Sequence, residues 1–241
     1  MSLIINAFNV VLYQPLFNAL VFLYQHIPGN DFGVAVIVLT ILIRFLLYPV
    51  MFKSLKSQKQ MQDLQPKIQE IKRKLKDNKQ EQSKAMMGLY QKEKINPFGG
   101  CLPLIIQMPI LIALYRVFWK GFQPEQLNFL YSFIPSPGGI DPSFLGIIDL
   151  SQPSFLLAII AGVAQFFQGK LLSPKVQQKG KNQTDQFSQM MQKQMIYFFP
   201  FFTVLILWKM PAAIGIYWII TALFSIFQQR IINKKHESAE L

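Results

Sequence analysis

Arg44 stands about 12 residues into an apolar run that opens near Phe32, and about 9 residues before Lys53. Roughly 13 Å of helix therefore separates it from the end of that run. A charge held that deep in hydrocarbon costs ~2.5–3.5 kcal/mol even on the lenient insertion scale. It can snorkel towards headgroups, or it can find polar company. No acidic residue falls inside any of the chain's long apolar runs, so no carboxylate is at hand to neutralise it. Water in an open cavity is its expected partner. Gly33, Ile37, Thr40 and Arg44 share one helix face, at steps of 4, 3 and 4, with Thr40 and Arg44 forming the polar part. Other polar residues break the apolar runs in register. Gln107 sits in the middle of the second run, Gln165 and Gln168 lie together on the third, and Thr221, Ser225 and Gln228 line up on the fifth, one turn from Tyr217 and Trp218. Singly, such residues are usually interhelical glue. Around a buried arginine, and spread over four helices, they read as a hydrophilic groove in which a passing acidic or polar segment pairs transiently with Arg44.

Bond-making chemistry has little to work with. His26 and His236 are the only histidines, and the single cysteine is Cys101, so a metal cluster, a histidine triad and an internal disulfide are all excluded. The Gly99–Gly100 pair precedes Cys101 rather than a lysine, which is no phosphate loop. Cys101 reads as a packing residue, and no cofactor is expected.

The elements that must position these residues are membrane helices. The chain has 241 residues, of which 51% are hydrophobic and 15% charged, and its mean hydropathy is +0.28. A soluble domain carries about 25% charged residues. Crossing a bilayer takes ~20 mostly apolar residues. Five segments qualify: Phe32–Phe52, Pro97–Trp119, Ser154–Leu172, Gln194–Trp208 and Pro211–Gln229. Pro103, Pro109 and Pro200 lie within spans, where kinks are expected. The expected fold is an all-α membrane protein with a five-helix core over residues 32–233 and a short tail over 234–241. The N-terminus, MSLIINAFNV, lacks the positive region of a cleavable signal.

Basic residues set the orientation. Between Lys53 and Lys94 there are 12 basic and 5 acidic residues, a net of +7, and Lys170–Lys193 adds five lysines against Asp185. The positive-inside rule puts residues 53–95, the 173–193 connection and the C-terminus in the cytoplasm, and the 121–153 loop and Lys209 outside. Residues 1–31 admit two readings, a weak sixth span or an amphipathic helix on the outer surface. Pro15 and the spaced amides Asn6, Asn9, Gln14, Asn18 and Gln25 favour the surface helix.

Within 53–95, Leu64, Ile68, Ile71 and Leu75 recur at steps of 4, 3 and 4. Asp77–Asn78 supplies a turn, Pro66 breaks the first arm, and Met86, Met87 and Tyr90 return facing inward. The pattern is an antiparallel helical hairpin carrying Lys67, Lys72, Arg73, Lys74 and Lys76. Clustered lysine suits either anionic headgroups or ribosomal RNA as a docking partner.

Three stretches resemble the YidC-type membrane protein insertases, relatives of the mitochondrial oxidase-assembly and chloroplast albino insertases. They are GVAVIVLTILIRFLLYP (Gly33–Pro49) with the lysine- and glutamine-rich segment after it, NPFGGCLPLIIQMPILIALYRVF (Asn96–Phe118), and FFPFFTVLILWKMPAAIGIYWIITALFSIFQQ (Phe198–Gln229). The similarity runs over about residues 8–233. It implies five core helices around a groove open to cytosol and lipid, in the bacterial plasma membrane, that inserts nascent membrane proteins without nucleotide hydrolysis, in some cases with the ribosome or the Sec translocon. The family's threonine and arginine one turn apart fall on Thr40 and Arg44, and its client-contacting aromatic pair falls on Tyr217 and Trp218. Against well-known Gram-negative members, the expectation is of a chain without their large periplasmic domain. Two other functions compete: a small-solute transporter using the same cavity, which the absence of internal repeats disfavours, and a scaffold for mature subunits. A groove built within one chain makes a monomer sufficient.

Overall fold

The computed structural model describes residues 2–96, 99, 102–120, 123–172 and 193–237, and is mostly helical. Expectations for Cys101, the 173–192 connection and the last four residues lie outside these. Helix α1 (Ser2–Phe8) leads through a π turn (Asn9–Tyr13) into α2 (Gln14–His26). A second π turn (Gln194–Phe198) leads into α9 (Phe199–Leu207). Both π turns end just before a proline, Pro15 and Pro200. A proline offers no N–H and its ring crowds the carbonyl four residues back, and a wider i→i+5 turn relieves that crowding. Of the three prolines expected to kink spans, only Pro109 lies in a helix interior, that of α7 (Leu102–Lys120). Pro103 falls in the first turn of α7, where no N–H is needed, and at Pro200 the preceding π turn takes up the crowding.

The expected first span is divided. Helix α3 (Phe32–Leu46) starts at Asp31, whose Oδ1 accepts from Val34 N at 2.8 Å. It meets α4 (Tyr48–Asp63) at a 66° bend. Pro49, in the first turn of α4, denies the helix a regular hydrogen bond there. Tyr48–Phe52 therefore run with the lysine-rich helix and not with the apolar one. Helices α5 (Gln65–Lys74) and α6 (Lys79–Lys92) follow, and Asn78 caps α6 by accepting from Glu81 N at 3.1 Å. They lie side by side, joined by Lys67–Glu93 at 2.6 Å and by Gln82 Nε2 donating to Lys72 O at 3.3 Å.

Helix α8 (Phe155–Leu172) and α10 (Ala212–Glu237) complete the bundle, with a short antiparallel pair, β1 (Ser143–Phe144) and β2 (Ile148–Asp149), before α8. Helix α10 is central, packing on α8, α3, α4 and α7. Helix α9 packs on α8 at Gly162, where an added Cβ would come within 2.4 Å of Val204 and 3.2 Å of the Pro200 carbonyl. Small residues let helices approach this closely where no solvent drives them together. The core holds Phe17, Val36, Leu114, Val117, Ala161 and Tyr217. Outward faces stay apolar, with Leu46, Phe45, Phe167 and Phe227 all more than half exposed.

By length and composition, Leu3–His26 and Ala212–Lys234 can each cross a membrane, and the bent α3–α4 pair makes a third candidate. The N-terminal stretch also runs along the 123–150 connection. Asn18 Nδ2 donates to Phe129 O at 2.9 Å, Gln25 Nε2 to Pro135 O at 2.7 Å, and Tyr24 OH accepts from Asp141 N at 3.0 Å. Gln14, Asn18 and Gln25, three of the amides that interrupt its apolar sequence, thus hold that loop.

Candidate functional site

Thr40 and Arg44 sit one turn apart on the buried face of α3, and Arg44 is only 5% exposed. Thr40 Oγ1 turns back to its own helix, donating to Val36 O at 2.6 Å. The guanidinium reaches across to α7, where Arg44 Nη2 donates to Gln107 Oε1 at 3.3 Å. Gln107 Nε2 in turn donates to the Tyr217 hydroxyl on α10. Three helices are thereby tied through one polar chain of cation, amide and phenol. Among the described residues the ion pairs are Lys59–Asp63, Lys67–Glu93 and Lys74–Glu70, and Arg44 joins none of them. The partner of Arg44 among the described residues is the Gln107 amide. Gln107 engages one of the five donors a guanidinium carries, so the cation is positioned without being neutralised.

A second link lies beside the first. Trp218 Nε1 donates to Gln165 Oε1 at 2.9 Å, joining α10 to α8. Gln168, one turn on, is half-buried. Thr221 places its buried hydroxyl beside Tyr217, and Ser225 Oγ donates back to Thr221 O at 2.9 Å. The expected groove residues therefore converge: Arg44, Gln107 and Tyr217 form one cluster, Gln165 and Trp218 another, and Tyr217–Trp218 connects them. Sequence reasoning undervalued the next turn of α10. Gln228 Nε2 and Gln229 Oε1 are fully buried and unpaired, and Ser54 of α4 is buried as well. A run of consecutive amides at the end of an apolar helix was the available signal.

An apolar cavity of about 310 Å³ adjoins Trp218, between α7 and α9, lined by Leu111, Ile112, Tyr115, Ile206, Leu207 and Ile214 among others. The polar cluster thus borders an apolar crevice.

The lysine-rich helices present their cations outward. Arg73, Lys74 and Lys76 are exposed and Lys72 is half-buried. Lys67 holds the Glu93 carboxyl below its usual range by hydrogen bond and charge, and Lys74 does the same to Glu70. Leu64 and Ile68 are buried as the seam requires. Met86 and Tyr90 are half-buried, but Met87 is 56% exposed. Adjacent helix positions point about 100° apart, so Met86 and Met87 cannot both face the seam.

A buried, un-neutralised guanidinium inside helices with apolar outer faces defines a membrane protein with an internal polar cluster. The chain belongs to the 60Kd inner membrane protein family, whose model matches residues 22–239. It is 35% identical over 206 residues to a membrane protein insertase YidC of Fusobacterium nucleatum, covering 86% of this chain and 88% of that protein. It is 33% identical to the one from Geobacter metallireducens and 38% identical to the one from Wigglesworthia glossinidia brevipalpis. The chain covers 38% and 36% of those two proteins.

Proposed function

We propose that the chain is a membrane protein insertase and folding chaperone, acting on nascent membrane proteins through a groove around Arg44. The relatives named above are insertases, and none is a transporter. The observation that carries the mechanism is the Arg44–Gln107–Tyr217 chain. A cation is kept at bilayer depth, oriented by an amide, and left without a counter-charge. A client segment bearing a carboxylate or other polar group pairs with it, which lowers the cost of bringing that group into hydrocarbon. Charge-assisted bonds of this kind are short and strong in a low dielectric. Nothing in this scheme needs nucleotide hydrolysis. Tyr217, Trp218, Gln165 and Gln168 line the path, with Thr221 and Ser225 continuing it along α10. Five helices, α3 and α7 to α10, form the core and cross the membrane. The α5–α6 pair and the C-terminus face the cytoplasm, where Lys72, Arg73, Lys74 and Lys76 meet anionic headgroups or the ribosome. Residues 1–31 lie on the outer face, a placement supported by the bonds from Asn18, Tyr24 and Gln25 to the loop beside them. One copy suffices.

Reconstituted insertion tests this. Arg44→Ala should reduce insertion of a client with acidic residues in its translocated segment at least tenfold more than insertion of a purely apolar one. Equal loss for both clients would remove the pairing mechanism.

A further inference from the structure

The β1–β2 turn combines two unfavourable features. Ile147 N donates to Phe144 O at 3.0 Å, closing a tight turn in which Leu145 has φ 53° and Gly146 φ 65°. Positive φ at both central positions is the type I′ pattern, which favours Asn, Asp or Gly at the first of them. A bulky leucine there is strained. It is also exposed, at 63%, and its neighbour Ile147 at 81%. A soluble turn would gain on both counts by carrying Asn-Gly.

The hairpin is firmly held at one level of the bundle. Asp31, which caps the start of α3, also accepts from Leu145 N through Oδ2 at 2.5 Å. Phe144 packs so closely on Gly33 that a Cβ there would come within 2.1 Å of its ring. Beyond β2, Leu150 O accepts from Ala213 N at 3.1 Å and Gln152 O from Ala212 N at 2.9 Å, at the start of α10. The hairpin therefore bridges the first turns of two helices, and α10 is apolar for long enough to cross a membrane. Trp208, half-exposed and close to Phe155, stands just before α10, a residue type enriched at bilayer boundaries. From Pro142 to Ile148 there is no charged residue to be carried into that layer.

We propose that the β1–β2 turn is a lipid-contacting foot, with Leu145 and Ile147 inserted among the lipids at the bilayer boundary where α3 and α10 begin. Two side chains are far too small for a stable protein interface, which buries about 1,000 Å² or more. Lipid asks for no such area, and its location matches the anchor points.

The test uses the full chain in lipid nanodiscs, with Cys101→Ser and single spin labels at Leu145→Cys or Ile147→Cys. Ser136→Cys, exposed elsewhere in the same loop, and Phe227→Cys, on the outward apolar face of α10, serve as references. Collision with oxygen should exceed collision with a water-soluble nickel complex several-fold at 145 and 147, as at 227, and the order should reverse at 136. A nickel-dominated signal at 145 and 147, or one protected from both reagents as under a second copy, overturns the foot. Because the inference rests on α10 crossing the bilayer, position 227 tests that premise separately.

Discussion

Exchanging Arg44 for leucine should stabilise the protein or leave its stability unchanged while abolishing its work on charged clients. The buried cation costs ~2.5–3.5 kcal/mol at depth. Its bond to Gln107 is long, at 3.3 Å. Bonds to charged groups return about 1.5–3 kcal/mol at best, and interhelical bonds in membranes average nearer 0.6 kcal/mol. The balance favours leucine by roughly 0–3 kcal/mol. Gln107→Leu should have the opposite sign, costing about 1–3 kcal/mol, because it strands the buried guanidinium and removes one partner of the Tyr217 hydroxyl. A double-mutant cycle read by SDS-titrated unfolding in mixed micelles should give a coupling of about 0.5–2 kcal/mol. If Arg44→Leu alone destabilised the fold by more than about 2 kcal/mol, Arg44 would be a structural tie and the reasoning would fail.

Other consequences follow from single contacts. Gly162→Leu should lower stability by about 1–3 kcal/mol through overpacking against Val204 and the Pro200 carbonyl, seen as a lowered unfolding midpoint. Arg116 bonds Asn9 Oδ1 at 2.9 Å and lies over the Phe8 and Tyr13 rings. Arg116→Ala should therefore speed hydrogen exchange across residues 2–26 without altering α8 or α10. Glu93 has a lowered folded pKa, so the Lys67 contact is fully present above about pH 4.5 and is lost as pH falls through the lowered value. Spin labels on α5 and α6 should move apart in that acid range, and Lys67→Gln should remove the pH dependence.

Much of the site was legible because membrane burial makes polar residues conspicuous. Arg44, Gln107 and Gln165 stood out against apolar surroundings, and the structure gathers them. What periodicity could not give was who bonds whom: the link from Trp218 to Gln165 depends on how α8 and α10 are rotated, a tertiary fact. The bend at Leu47 is hidden in the sequence because hydropathy continues through Tyr48–Phe52 while Pro49 does not let the helix do so. The N-terminal amides looked like defects in a span, and their role became visible only once the 126–141 backbone lay beside them. Met87 shows the limit of seam reading, since two adjacent methionines cannot share a face.

Photocrosslinking to a ribosome-bound client with an acidic translocated segment addresses the groove most directly. With a crosslinking residue placed at Thr40 or Trp218, the adducts should map to the polar segment of the client, and Arg44→Ala should diminish them. Adducts from Phe227, on the exposed apolar face of α10, with none from 40 or 218, would contradict an Arg44-centred path.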